Sequence, residues 1–491
     1  MISMSWALLL TIPLSWAQDE ADGERPWGTW GEVRGLFSLP PDITVDAEGH
    51  HTDQPWVLDT RARLGVGYET ERLRVRLEGD VFTAQALGHP WQLERDIDIR
   101  HRDTVGLLQP HAFAPRVAAV QGLLGPVQLE AGLVTSNWGL GLLANDGNHD
   151  PFFGRADGGD TVLRVRATTL PFAKRGLPLS VTLAADQVYA DDLARLVGDD
   201  QLAWQGIAAL LYKDEVGRAL GVYGVYRHQR EPDRSRRTNA GVVDVYGDLP
   251  LTAGPLSVRI AAEAAGILGN TSRALTYNAR DQLKVRSLGA TGLVSVGALE
   301  DRALLHLRGG YASGDGDGAD AYSRDFTFDP NFDVGMVLFD ELGGALEVGA
   351  WGLLSDPEHS AQPPDGAEAL VTEGSFRRAT FFQPILEGRP MPWLKVRGGV
   401  VMAWSTAPIA NPFYSYRNGG APTTHLNTKW SGDYSLGTEI DWGVIVGDVE
   451  LEKGRLAATP ALWVQGGHAL VSEDMGGGTL HLVTVLGRVQ W

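Results

Sequence analysis

The sequence predicts an all-β chain: a transmembrane antiparallel up-and-down β-barrel of about 18 strands, within a range of roughly 16 to 20. Three observations predict it. The C-terminal segment His481 to Trp491 alternates, with Val483, Val485, Gly487 and Val489 on one side and Thr484, Arg488 and Gln490 on the other. It ends on an aromatic, which suits a closing strand with a lipid face and an interfacial anchor. Many further segments alternate greasy and charged residues with no helical stretch to cover the greasy side. Short turns and long polar loops take turns along the chain, as strands that cross a membrane require.

In chain order, Trp6 to Leu14 forms a short apolar run, and Ser15-Trp16-Ala17 ends it in the small-x-small pattern of a signal-peptidase site. Residues 1–17 are therefore expected to be a signal peptide, despite the absence of Lys or Arg before the apolar run. Residues 18–27 follow as a short periplasmic segment and 28–491 as the barrel. No later apolar run approaches the ~20 residues that a membrane helix needs. The absence of cysteine rules out disulfides, thiolate metal sites and a cysteine nucleophile. Glycine at 61 of 491 residues and 15 tryptophans fit a turn-rich sheet with interfacial aromatics. A net charge of −19 argues against a general nucleic-acid partner.

The clearest strand is Arg72 to Val81, in which odd positions are apolar or glycine and even ones charged. Arg61 to Tyr68, Leu163 to Ala167, Val258 to Glu263, Leu305 to Arg308, Leu394 to Arg397 and Leu436 to Val444 behave likewise. Short turns are expected near Glu69-Thr70-Glu71, Gly125-Pro126, Lys174-Arg175-Gly176, 213–217, Ala253-Gly254-Pro255, Leu299-Glu300-Asp301 and Gly388-Arg389-Pro390. Long loops fall at 85–112, 137–160, 190–202, 231–239, 268–284, 313–335, 356–375 and 407–432. Treating Val334 to Ser355 as an extracellular excursion gives 18 strands, and giving it its own hairpin would make 20.

If greasy faces meet lipid, parity assigns the lumen-facing charges. The basic set is Arg61, Arg63, Arg72, Arg74, Arg76, Arg164, Arg166, Arg259, Arg308, Lys395, Arg397 and Arg488. The acidic set is Glu78, Asp80, Glu130, Glu263, Glu439 and Asp441. A basic excess on a low-dielectric wall concentrates anions in the water column. The same residues read equally as a lattice of cross-wall ion pairs that stiffens the barrel and selects nothing. A β-bulge would also flip the parity of any strand it interrupts.

Two loops are acidic. Asp315, Asp317 and Asp320, followed by Asp325, Asp329 and Asp333, suggest a Ca²⁺ loop but break the EF-hand spacing. Ala319 stands at the fifth position, Asp320 in place of the required glycine, and Phe326 in place of the closing carboxylate. A looser oxygen cage is the remaining metal reading, there or at Asn145-Asp146-Gly147-Asn148-His149-Asp150 with Asp157 and Asp160; otherwise no cofactor is expected. The plain alternative is a solvated external loop, bridged to lipopolysaccharide phosphates by divalent ions.

Trp138-Gly139-Leu140-Gly141-Leu142-Leu143-Ala144-Asn145-Asp146-Gly147, with Gly159-Asp160-Thr161-Val162 and Arg164, resembles a motif of an outer-membrane family distantly similar to the alginate-export porins. So does Ala312-Ser313-Gly314-Asp315 leading into Phe326-Thr327-Phe328-Asp329-Pro330-Asn331-Phe332-Asp333-Val334-Gly335. The resemblance implies an 18-stranded barrel with an Arg/Lys-lined lumen. It carries over no individual pore residue, and Leu163 stands where a second Asp is expected before Arg164.

The functional expectation is a monomeric porin-like channel in the outer membrane of a Gram-negative bacterium. Its solutes would be small anions or polyanions of the uronate, organic-acid or sugar class. The alternative is a loop-plugged structural or adhesive barrel, with 85–112 (Trp91, His101, Arg102) among the loops able to fold in. An enzyme is not expected: the histidines, among them His149, His228, His359, His425 and His468, sit in no nucleophile or zinc motif. The expected partners are outer-membrane lipid and lipopolysaccharide, the solute, and the periplasmic chaperones and barrel-assembly machinery that would read the strand ending at Trp491.

Overall fold

The computed structural model describes residues 26–89, 113–156, 158–198, 200–232, 236–273, 282–317, 320–355, 359, 372, 374–449, 451–453 and 456–491. The expected signal peptide, most of the 18–27 segment, Asp157 and the loop bearing Trp91, His101 and Arg102 lie outside the described residues.

Eighteen long strands form one closed antiparallel barrel. They are β1 (Trp27–Leu39), β2 (Val57–Glu69), β3 (Leu73–Gly88), β4 (Ala114–Leu124), β5 (Val127–Thr135) and β6 (Thr161–Thr169). Next come β7 (Leu179–Ala190), β8 (Leu202–Lys213), β9 (Ala219–Arg230), β10 (Arg237–Ala253), β11 (Leu256–Thr271) and β12 (Leu283–Ala298). The last are β13 (Ala303–Ala312), β14 (Ala379–Met391), β15 (Leu394–Ser405), β16 (Ser435–Gly447), β17 (Leu456–Val471) and β18 (Thr479–Gln490). Each pairs with its neighbours in sequence, and β18 closes on β1 with Arg34 opposite Arg488 and Val33 opposite Val489. Closure removes the sheet edges that could not be satisfied in lipid.

The burial pattern is inverted relative to a water-soluble protein. Leu64, Leu77, Val165, Leu183, Leu220, Val243, Leu268 and Leu288 are exposed on the outside, while Arg61, Arg63, Asp80, Asp186, Asp244 and Glu439 are buried within. A closed barrel with this greasy exterior and charged interior sits in the outer membrane. Its ends differ: β2–β3, β4–β5, β8–β9, β10–β11 and β14–β15 turn within a few residues, and the opposite end carries the long connections. The short-turn end is periplasmic and the other extracellular.

The turn expected at 388–390 lies further on. β14 continues through Arg389 and Pro390, and the chain reverses at Pro392-Trp393, since Arg389 N–H donates to the Arg302 carbonyl and keeps the sheet going. The segment 334–355 makes no hairpin. It holds a wide helical turn, Leu338–Gly343, and α1 (Gly344–Ser355), both inside the 313–378 connection. A second short helix, α2 (Pro412–Arg417), lies in the 406–434 connection.

Candidate functional site: the occupied lumen

Two long connections fold into the barrel. The 136–160 segment bonds to wall strands on opposite sides. Trp138 Nε1 donates to Asp244 on β10 at 3.0 Å, and Leu140 N–H to Glu263 on β11. Further along, Asp150 accepts from Arg488 on β18 at 2.8 Å, and the Asn148 side-chain oxygen from Arg63 on β2 at 2.7 Å. β10 and β1 lie half the circumference apart, so the segment crosses the lumen. The 313–378 connection is pinned elsewhere. Glu439 on β16 accepts the backbone N–H groups of Met336 (2.5 Å), Val337 (2.8 Å) and Leu338 (2.9 Å).

Between the two connections lies a greasy core such as a soluble domain has. Leu142 and Phe153 from the first pack with Phe326, Phe328, Val337, Leu346 and Phe376 from the second, and with Val45 from 40–56. Leu482, on the inner face of β18, joins this core with Leu480 packed against it, which explains why that strand carries leucines inside as well as valines outside. Burying such side chains drives the connections inward. Asp329 ties them together, since its N–H donates to Leu142 O at 2.9 Å, while Asp160 N–H donates to Asn145 O, also at 2.9 Å, and closes the first connection on itself. Burial, and then neighbouring acids, raise both carboxyls well above the usual carboxylate range.

Six wall arginines converge on the crossing segment, mostly on neutral oxygens. Arg34 donates to Ala156 O at 2.7 Å, Arg61 to the same oxygen at 3.5 Å, and Arg397 to Phe152 O at 3.1 Å. Arg116 donates to Asp146 O at 2.8 Å and to Gly158 O. Arg63 and Arg488 reach Asn148 and Asp150 as given above. A cavity of about 70 Å³ lies beside the segment, lined by Asp59, Gln85, Arg155, Met336, Asp340 and Glu341 among others.

The wall positions resolve one by one. Arg63 pairs with Asp80 (2.7 Å), Arg164 with Asp186 (2.6 Å), Arg166 with Glu130 (2.9 Å) and Arg397 with Glu387 (2.5 Å). Arg61 pairs with Glu32 (2.6 Å), Arg259 with Asp248 (2.7 Å), Lys395 with Asp448 (2.5 Å), and Arg74 with Glu69. Glu78 accepts from Trp30 at 2.8 Å and from Arg116 at 3.2 Å. Arg308 has no carboxylate in hydrogen-bond reach among the described residues. It donates to Gln383 and to Asp333 O, and lies 5.1 Å from the Phe332 ring and 5.3 Å from that of Phe152. Arg76 faces inward, half-buried, with no carboxylate partner among the described residues.

Arg72 departs from its expected place. Thr70 Oγ1 accepts the N–H groups of Arg72 and Leu73, forming a turn, so β3 begins only at Leu73 and Arg72 is exposed at the rim. The basic excess read from parity also shrinks once its partners are seen. Glu32, Asp186, Asp248 and Glu387 face inward and were absent from the expected acidic set.

Arg116 was missed for a definite reason. The register steps from Glu78 opposite Val117 to Gly79 opposite Pro115, so Arg116 is an extra residue whose side chain the bulge turns inward. Parity alone would have sent it to the lipid. The only sequence signal is Pro115 before it, a residue confined within sheets to edges and irregularities.

In the acidic loop, Asp315 accepts from Arg324 at 3.2 Å and from Asp317 N–H at 3.1 Å, and Asp320 from Arg324 at 2.7 Å. No group of three or more acidic or histidine side chains among the described residues is arranged to hold a metal.

No family model matches the chain, and no curated protein matches it. Among solved structures it is similar to Pseudomonas aeruginosa OccK8 (OprE), with 8% identity over 95% of this chain and 98% of that one and a TM-score of 0.50. A BenF-like porin from Pseudomonas fluorescens Pf-5 gives 9% identity, 95% and 98% coverage and a TM-score of 0.49. Pseudomonas aeruginosa OpdK with vanillate gives 13% identity, 95% and 99% coverage and a TM-score of 0.48. A likeness at such identities is one of fold alone, and the chain has the closed 18-strand architecture of an outer-membrane porin.

Proposed function

We propose that this protein is an outer-membrane channel for small solutes that favours anionic ones, and that the 136–160 segment forms its constriction. The observation that carries the reading is the convergence of Arg34, Arg61, Arg63, Arg116, Arg397 and Arg488 on that segment. Five of the six meet neutral carbonyl or amide oxygens there, whereas a charged acceptor makes the stronger bond to guanidinium. A carboxylate or phosphate moving past the segment can exchange with those oxygens and be handed along the wall. Uronates, organic acids and sugar phosphates have the chemistry, in line with the Arg/Lys-lined lumen that the alginate-export resemblance implies.

A second reading has its own observation. The greasy core between the connections suits a barrel plugged by its own loops, serving structure or adhesion. Single-channel recording separates the two. The mature protein, refolded with heat-modifiable migration as the check, is placed in planar bilayers and its reversal potential read under a salt gradient. A channel gives stable openings with anion selectivity that weakens in Arg76→Glu and Arg116→Gln. A folded barrel that never conducts establishes the plugged reading.

A further inference from the structure

The extracellular end of β12 changes character on its outer face. Along that face Leu288, Ala290, Gly292, Val294 and Val296 are apolar, and the two outward positions above them are Lys284 and Arg286, both exposed. Basic side chains at that height stand where the lipid tails end and the headgroups begin. A short segment, Tyr322–Ser323, pairs alongside, with Tyr322 opposite Lys284. Three cations surround the Tyr322 ring: the Arg286 guanidinium carbon at 4.6 Å from its centroid, that of Arg324 at 5.0 Å and the Lys284 ammonium at 5.6 Å. Arg324 is neutralised by Asp315 and Asp320. Lys284 and Arg286 meet no carboxylate among the described residues. Two and three strands further round, the same outward rim carries Arg237 of β10 opposite Arg230 of β9.

Like charges gathered on one ring repel unless an anion lies among them. A phosphate monoester fits, since it carries up to two charges and offers several oxygens to guanidinium and ammonium donors. The occupant at this height is lipid, because the cluster continues the greasy belt outward and does not face the lumen. We propose that Lys284 and Arg286, set against the Tyr322 ring, form a binding site for the phosphate of a phosphorylated outer-leaflet lipid. The site lies on the outer wall, so it does not depend on whether the lumen conducts. It would fix the rotational setting of the barrel against its lipid shell and hold the 313–325 segment down at the rim.

The test is native mass spectrometry of the refolded full-length mature protein with bis-phosphorylated lipid A, monophosphoryl lipid A or phosphatidylcholine. Lipid A is expected to remain bound most firmly, and the Lys284→Gln/Arg286→Gln variant to lose roughly ten- to thirtyfold in apparent affinity, since each basic group at a membrane surface contributes a factor of about five. The charge-keeping Lys284→Arg/Arg286→Lys variant retains binding, and Lys174→Gln/Arg175→Gln at the periplasmic turn leaves it unchanged. Heat-modifiable migration confirms that every variant is folded. Equal lipid A binding by the wild type and the double glutamine variant, or equal retention of phosphatidylcholine and lipid A, overturns the proposal. Inorganic phosphate that binds alone as tightly as lipid A reassigns the site to free phosphate and overturns the lipid assignment.

Discussion

Gly31 and Trp491 close the barrel: the Gly31 N–H donates to the Trp491 carbonyl at 2.9 Å, and the Trp491 N–H to the Gly31 carbonyl at 3.0 Å. The indole covers the glycine, and a Cβ on Gly31 would lie 2.4 Å from a ring carbon. Gly31→Val is therefore expected to push the terminal ring away and destabilise the seam by about 1–3 kcal/mol, the usual cost of overpacking. Gly35→Val, on the same strand, has its nearest atom 3.9 Å away and should be well tolerated. Urea unfolding midpoints in vesicles compare the two, and equal midpoints would refute the role given to the Gly31–Trp491 contact.

Glu439 clamps the 313–378 connection through three backbone N–H groups. Glu439→Gln keeps the size but removes the charge and one acceptor oxygen, and hydrogen bonds to charged groups contribute about 1.5–3 kcal/mol each. The connection should become susceptible to protease while the strands stay protected. If the protein conducts, its openings should grow larger or more frequent. An unchanged digestion pattern would show that the greasy core alone holds the connection.

Arg116 is buried and bonded both to Glu78 and to the crossing segment. Arg116→Ala leaves Glu78 without that partner, and breaking a buried pair from one side costs about 3–5 kcal/mol. Arg72→Ala, in the exposed turn, should stay within about 0.5 kcal/mol of the parent. The two differ in everything that surrounds them, so thermal denaturation followed by circular dichroism distinguishes them readily.

His425, in the 406–434 connection, is buried, and that burial pushes its imidazole down to about 4. Its Nδ1 accepts from Asn411 Nδ2 at 3.3 Å, and the Asn411 side-chain oxygen caps α2 by accepting from Phe413 and Tyr414 N–H. The folded value lies below the ordinary imidazole value near 6.5. Its contribution to stability is thus fully present above about pH 6.5 and lost progressively as pH falls toward 4. Hydrogen exchange over 406–434 should rise through that window in the wild type. His425→Gln should flatten the profile, and an equally steep profile in the variant would assign the acid sensitivity elsewhere.

The strands were legible because a barrel wall in lipid obeys a two-residue rule almost everywhere: Leu73, Val75 and Leu77 outside, Arg74, Arg76 and Glu78 inside. The rule failed where the backbone departs from the pleat. The bulge at Arg116 and the Thr70 turn at Arg72 each moved one arginine across an assignment made by parity. The partners Glu32, Asp186, Asp248 and Glu387 went unseen because pairing depends on which strands are neighbours and in what register, and single-strand periodicity holds neither. The lumen was least legible of all. Its filling comes from connections such as Phe326 to Phe376, whose greasy residues follow no strand period and find one another only once the wall has closed.

The cross-wall pairs also act as a check on assembly. On the outside, one leucine or valine against lipid is much like another, so a strand shifted by two residues would keep every greasy side chain facing out. On the inside, such a shift would matter. Arg63 lies directly opposite Asp80, Glu130 opposite Arg166, Arg164 opposite Asp186 and Glu387 opposite Arg397. Sliding β2 two positions one way along β3 would set Arg63 against Phe82 and leave Asp80 without it, and at β5–β6 the slip that sets Glu130 against Thr168 would set Arg166 against Gly132 and strand both charges. A nearly uniform exterior thus leaves the proofreading of strand order to the charges that no lipid ever touches.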